Sequence, residues 1–192
     1  MELKSNKSAC QIDCTGMRRL LAFGFWLLAI GSEAQTFSLE RRTDSLYVLT
    51  LMTDSTRNQW QLPYPVYRME TGDVDDNGTI EALVGVIKST RFYPEMGRRL
   101  FIFKNYEGLV RPMWLGSKLG GTLQDFHFRN GVVRSLETNA RGEYTVTEYR
   151  WGGFGPKFER YLVRNTDETS ARAIFEGEVK EVREVKEVKE DI

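Results

Sequence analysis

Residues 72–87 read Gly-Asp-Val-Asp-Asp-Asn-Gly-Thr-Ile-Glu-Ala-Leu-Val-Gly-Val-Ile, an acidic loop followed by an apolar run. Oxygen-bearing side chains fall at alternate positions, Asp73, Asp75 and Asn77, and Gly78 follows them. In a tightly curled loop this spacing directs the side chains into one concavity, and the glycine permits the sharp turn. Carboxylates held close together repel one another unless a positive charge neutralises them. The pattern predicts a bound hard cation such as Ca²⁺, and the alternative is a polar turn without an ion.

The loop differs from an EF-hand, which places a bidentate glutamate at its twelfth position and a helix after it. Counting from Asp73, that position is Val84, inside a β-branched apolar run typical of a buried strand. Glu81, at the start of this run, is therefore expected to be the last acidic ligand. The predicted calcium ligands are Asp73, Asp75, Asn77, the Thr79 carbonyl and Glu81.

A short Asp-x-Asp-x-Asn-Gly-x-x-Glu loop that leads into a strand resembles the calcium loops of FG-GAP and VCBS-type repeats. The resemblance covers residues 67–114, and the Trp-Gly-Gly-Phe-Gly segment at 151–155 is similar to the aromatic-glycine end of such a repeat. It implies a bacterial exported protein with β-propeller-like architecture, located at the cell surface or in the periplasm. The sequence carries one copy of the acidic loop, whereas a complete propeller of this family usually carries several.

Residues 17–34 have the pattern of an export signal. Met17 and two arginines precede an apolar run at 20–30, and small residues at Ser32 and Ala34 follow it. The apolar run is shorter than the ~20 residues that a transmembrane helix needs. A buried core helix is the alternative. We expect cleavage after Ala34, and Met17 is an alternative start to the first methionine.

Cysteine positions and net charge indicate which kinds of cross-link and partner to expect. Both cysteines, Cys10 and Cys14, precede the apolar run, so a mature chain would hold no disulfide. The formal net charge is zero, which gives no electrostatic reason to expect nucleic acid as a partner. We also expect no membrane span in the mature chain. The predicted regions are an N-terminal extension and signal peptide at 1–34, an all-β calcium-loop domain at 35–165, and a charged low-complexity tail at 166–192.

The central part of the chain is a series of short β-type segments separated by turn residues. We predict strands near 37–42, 45–52, 65–70, 80–88, 99–104, 109–115, 122–128, 132–138, 143–151 and 158–164. Hairpin turns are expected at 105–108, 129–131 and 139–142, where Asn and Gly tolerate positive φ. The fold class is therefore all-β: short antiparallel strands in an incomplete propeller or sandwich-like arrangement.

The tail has a different pattern. Valine recurs at every third position over 179–188, which fits neither the strand period of 2 nor the helix period of 3.6. A segment without a continuous apolar stripe buries too little surface to offset its ordering entropy. We expect a disordered or loosely helical tail, with a partner-binding segment as the alternative.

Catalysis has little support in the sequence. The single histidine, His127, is expected to point outward on a strand between two inward phenylalanines, and no Gly-x-Ser-x-Gly elbow is present. The runner-up function is a carboxylate-dependent hydrolase acting on a glycan, with candidate acids Asp125, Glu137, Glu143 and Glu148. The favoured function is an exported calcium-binding β module without catalysis, structural or binding a glycan or protein partner. Open sheet edges would also permit oligomer formation.

Overall fold

The computed structural model describes residues 35–91 and 93–177. The predicted signal peptide at 17–34 and the valine-rich part of the tail lie outside the described residues. Within the described part, no helix is both long and apolar enough to cross a membrane.

The described residues form three antiparallel sheets and one helix, which confirms the all-β class. The first sheet has the order β1 (Thr36–Thr43), β2 (Leu46–Met52), β3 (Arg57–Leu62). The second has the order β4 (Val66–Gly72), β5 (Glu81–Thr90), β6 (Tyr93–Tyr106), β7 (Leu109–Leu115). The third has β8 (Thr122–Arg129), β9 (Val132–Thr138), β10 (Tyr144–Trp151) and β11 (Pro156–Thr166). Within each sheet, strands that are consecutive in the chain lie side by side, so each sheet is a meander.

The turns follow the local sequence as predicted. Asn130 and Gly131 have φ values of 53° and 75°, which place both central residues of the β8–β9 hairpin in the left-handed region. The β6–β7 hairpin has the same conformation at Glu107 and Gly108, with φ values of 52° and 79°. This backbone twist matches the right-handed twist of the flanking strands.

Apolar clusters fill the spaces between successive layers. The first and second sheets enclose Phe37, Leu49, Leu51, Leu62, Ala82, Val84, Val86, Phe101, Phe103 and Val110. The second and third sheets enclose Val74, Leu83, Leu100, Ile102, Leu123, Phe126, Val133 and Tyr149. Both faces of β5 at 81–86 and of β6 at 99–103 are therefore covered, as the apolar runs at 80–87 and 100–103 predict.

The helix α1 (Glu168–Glu176) covers the outer face of the third sheet. Its N-cap Asp167 accepts a hydrogen bond from the Ser170 N–H, and Gly177 ends it in the left-handed conformation with φ 84°. The helix contributes Ala171, Ile174 and Phe175 to a third cluster with Leu136, Val146 and Leu162. The first part of the predicted tail is thus helical, which is one of the two alternatives expected for it, and it packs on the third sheet.

Two further predictions need correction. The strand β3 was not predicted, because its sequence Arg-Asn-Gln-Trp-Gln-Leu is mostly polar and only Trp60 and Leu62 face the core. His127 lies on the opposite face from Phe126, as predicted, but its side chain is only 13% exposed. The helix covers that face, and the imidazole stacks on Phe175 with ring centroids 4.6 Å apart.

Candidate metal centre

The acidic loop connects β4 to β5 and is held in its curl by its own side chains. The Asp73 carboxylate accepts hydrogen bonds from the backbone N–H groups of Asn77 (3.0 Å) and Gly78 (2.7 Å). Asp76 and Gly78 have φ values of 59° and 84°, so the chain turns sharply at both positions. These contacts lie within the loop itself, so its curl has a local cause.

The structure gathers three of the predicted ligands. One carboxylate oxygen from each of Asp73, Asp75 and Glu81 lies within 4.8 Å of the others. The Asn77 side chain instead accepts hydrogen bonds from the Thr79 N–H (2.7 Å) and the Thr79 hydroxyl (2.5 Å). The amide oxygen of Asn77 thus stabilises the turn at residues 77–79, which leads the chain into β5.

Glu81 is the most deeply placed member of the cluster, with an exposed fraction of 1%. Its carboxylate accepts a hydrogen bond from the Val74 N–H at 2.8 Å. Burial, together with the neighbouring Asp75 and Asp73 carboxylates, raises the pKa of Glu81 to about 7. A cation at this position would reverse the effect, because it favours the ionised carboxylate.

Asp75 supplies the clearest sign of an unmet interaction. Its Oδ1 atom is buried and has no hydrogen-bond partner among the described residues. A buried carboxylate oxygen without a partner is costly, and native structures usually satisfy it with a donor, a water or an ion. The site thus offers hard oxygen ligands of the kind that Ca²⁺ prefers.

A cleft of about 310 Å³ adjoins the loop. It is lined by loop residues 73–76, of which three are aspartates, and by the Asn130–Gly131 turn, Arg150 and Trp151. Sequence reasoning noted the Trp151 segment but had no means to place it beside the loop, because the two belong to different sheets. The cleft combines negative charge with one aromatic face and one guanidinium.

The four candidate acids of the hydrolase alternative are each engaged in the fold. Asp125 pairs with Arg68 at 2.8 Å, and Glu143 accepts from the Asn139 side chain at 2.8 Å. The others are Glu137, which accepts from Ser135 (2.5 Å) and Tyr149 (2.8 Å), and Glu148, which pairs with Arg134 and Arg160 (both 2.8 Å). Each carboxylate therefore has a structural role.

Comparison with protein-family models, curated proteins and solved structures gave no match for this chain. The resemblance to FG-GAP and VCBS-type repeats rests on the acidic loop and the strand that follows it, and it stays a prediction.

Proposed function

We propose that this protein is an exported calcium-binding β module in which the ion stabilises the fold and no catalysis takes place. The observation that supports it is the convergence of the Asp73, Asp75 and Glu81 carboxylates within 4.8 Å at the entrance to the buried strand β5. The proposal includes a loop similar to those of FG-GAP and VCBS-type repeats.

The position of the loop explains why an ion there would act on stability. The strand β5 begins at Glu81 and continues into Ala82, Leu83 and Val84, all fully buried between sheets. An ion that fixes the loop also fixes where this strand enters the core. Binding to the folded state alone stabilises by about 2.7 kcal/mol when free calcium exceeds the dissociation constant a hundredfold. Extracellular sites commonly have dissociation constants of about 10⁻⁴ to 10⁻³ M, so a gain near 1 kcal/mol is expected.

The test compares two neighbouring acids. Asp75→Asn should abolish the rise in melting temperature that calcium causes, because it removes a charge from the cluster. Asp76→Asn is the matched control, since Asp76 is exposed, lies outside the carboxylate cluster and has a left-handed φ that asparagine tolerates. Isothermal titration calorimetry and melting curves with calcium or a chelator provide the measurements. Magnesium should substitute poorly, because it needs a smaller octahedral site and releases its water reluctantly. The proposal fails if the unmodified protein takes up no calcium at millimolar concentration.

A binding role toward a glycan or protein partner is supported by the cleft beside the loop. Trp151 offers an aromatic face of the kind on which sugar rings and apolar side chains pack, and Arg150, which is held by Glu159 at 3.0 Å, adds positive charge beside it. Trp151→Ala should weaken capture of such a partner, while the calcium-dependent part of the melting temperature stays unchanged.

A further inference from the structure

Arg99 on β6 is a buried guanidinium whose charge is not balanced by a close carboxylate. Its exposed fraction is 5%, and no ion pair among the described residues includes it. Two of its nitrogens donate to backbone carbonyls, Nη1 to Arg98 (2.8 Å) and Nη2 to Glu95 (2.6 Å). The guanidinium lies 4.0 Å from the centroid of the Tyr93 ring. Its Nε–H is buried and has no hydrogen-bond partner within residues 35–91 and 93–177.

A small cavity adjoins this group, at the place where the second sheet meets the chain segment that leads to the third. Its volume is about 20 Å³. The polar side chains that line it include Arg98, Arg99, Ser117 and Lys118, and Trp114 supplies an aromatic wall. The Lys118 ammonium is 5.8 Å from the same tyrosine ring, so a second cation approaches from the solvent side.

Three cationic side chains, those of Arg98, Arg99 and Lys118, therefore line this cavity. Arg98 stacks on Tyr67 and donates to the Gln124 carbonyl, so it too is held by neutral groups. Tyr93 and Glu95 favour the charged form of Arg99, and the Glu95 side chain is itself exposed to solvent. Burial lowers the pKa of Arg99, which indicates that the guanidinium charge is poorly compensated where it lies.

We propose that this cavity is an anion site that receives one oxygen atom of a carboxylate or sulfate group through the free Nε–H of Arg99. An oxyanion accepts a charge-assisted hydrogen bond from a guanidinium, and such bonds are roughly twice as strong as neutral ones. A cavity of about 20 Å³ admits a single group of the size of a water molecule. The rest of a larger ligand would therefore lie outside, against Trp114 and Lys118.

Two sources share this chemistry: a free small anion, or the acidic sugar of a glycan that presents its carboxylate or sulfate. The site does not depend on the calcium loop. The two proposals can therefore fail separately.

The test follows the Arg99 Nε–H directly by NMR in the intact, ¹⁵N-labelled protein. Sodium acetate, sodium sulfate and a galacturonate oligosaccharide are titrated at constant ionic strength. We expect a saturable shift of one arginine Nε–H signal, and the Arg99→Gln variant should lack that signal. Saturation by acetate and oligosaccharide at similar carboxylate concentrations assigns a free anion. At least tenfold tighter saturation by the oligosaccharide assigns an acidic glycan.

A second variant keeps the test decisive if Arg99→Gln fails to fold. Lys118 is exposed, so Lys118→Gln should fold normally and weaken the anion about three- to fivefold through loss of one nearby charge. Arg57→Gln is the matched control on the exposed surface of β3 and should leave the affinity unchanged. The proposal would be overturned by a response that never saturates. It would also be overturned if Lys118→Gln and the control Arg57→Gln changed the affinity equally, and the cavity beside Arg99 would then hold only water.

Discussion

At the scale of single residues, Glu81 is a carboxylate at a buried position, where an ionised side chain is unfavourable unless a cation is bound. Its position begins a strand that enters the core, yet its side chain is a carboxylate placed beside two others. In the absence of a cation, burial and the neighbouring charges favour the protonated form, and the pKa of Glu81 rises to about 7. Calcium binding requires the ionised form, so proton and calcium compete for this residue.

The competition predicts a pH dependence with a definite sign. The pKa of Glu81 is raised from an ordinary value of 4.5, so the folded state binds more protons between these two values than the unfolded state does. With a chelator present, the Glu81 contribution to the free energy of unfolding should decrease as pH rises from about 4.5 to about 7 and then level off. Calcium affinity should rise over the same interval. Denaturant melts and calcium titrations from about pH 5 to about pH 8 measure both effects.

The control for this prediction is Glu81→Gln, which mimics the protonated form and can still accept from the Val74 N–H. In the variant, the Glu81 contribution to the pH dependence should vanish, and the chelated protein should be more stable near pH 8 than the unmodified chain. Calcium should no longer stabilise it. If the variant lowers stability at every pH, the unmodified Glu81 is ionised and paired, contrary to the argument.

At the scale of elements, the stability of helix α1 comes from its tertiary contacts, because the helix is short. It has nine residues, too few to be stable alone in water. Two arginines of the third sheet satisfy its C-terminal carbonyls: Arg134 donates to Ile174 (3.2 Å), and Arg129 donates to Glu176 (3.0 Å). Positive charge at this end also complements the helix dipole.

The apolar face of the helix gives a second prediction. Phe175 is fully buried and stacks on His127, so Phe175→Ala should lower the free energy of unfolding by about 3 to 5 kcal/mol. Phe154→Ala is the matched control, because the Phe154 side chain is 98% exposed and its loss should leave stability nearly unchanged. Chemical denaturation of both variants makes the comparison. Equal effects would show that the helix does not stabilise the sheet.

The helix also bears on how far the chain can be shortened. Since the run after about Glu176 has no continuous apolar stripe, its sequence predicts that it is dispensable for folding, but Glu176 itself contacts His127 at 3.2 Å and its carbonyl accepts from Arg129. A chain that stops after Gly177 should keep its melting temperature. A chain that stops after Asp167 should lose several degrees or more, because the third cluster would then be uncovered. A large loss from the first truncation would mean that the valine-rich segment packs on the domain.

At the scale of the whole molecule, the layers between β1 and α1 are held by face-to-face packing of consecutive meanders. In the described residues the backbone ladders of the three sheets stay separate, so each sheet keeps its own edge strands, and side chains such as Glu70, which accepts from the Phe128 N–H, bond across the layers. Exposed edges permit pairing with another chain, which is why an oligomer formed through these edges stays a prediction. Size-exclusion chromatography with light scattering would decide it.

Export is the prediction that concerns the chain as a whole. Cleavage after Ala34 would leave a chain that begins at Gln35, one residue before β1. In this chain the Gln35 side chain donates to the Ile80 carbonyl (2.8 Å) and accepts from Asn105 (2.7 Å). Intact-mass spectrometry of the secreted protein should give the mass of residues 35–192. A secreted product that retains the apolar run at 20–30 would contradict the signal-peptide interpretation.

The sequence alone was sufficient for the features that depend on neighbouring residues. The bounds of β7 and β9 agree with the predicted ranges 109–115 and 132–138, because alternation and turn residues specify a strand and its ends locally. The curl of the acidic loop is local too, since Asp73 and Asn77 bond within it. The strand β3 was not predicted, because it has few apolar side chains and their burial depends on the sheet against which they pack.

Only the tertiary structure decided which surfaces meet. It placed α1 over His127, Trp151 beside the acidic loop, and Lys118 beside Arg99. These pairings join residues that are far apart in the sequence or belong to different sheets. Their choice depends on the total apolar area that each stacking arrangement buries, a property of whole faces. The periodicity of one segment does not indicate which face of another element it will contact. Local patterns therefore predict the strands and the helix, and the burial of apolar surface over the whole domain determines which of them pack together.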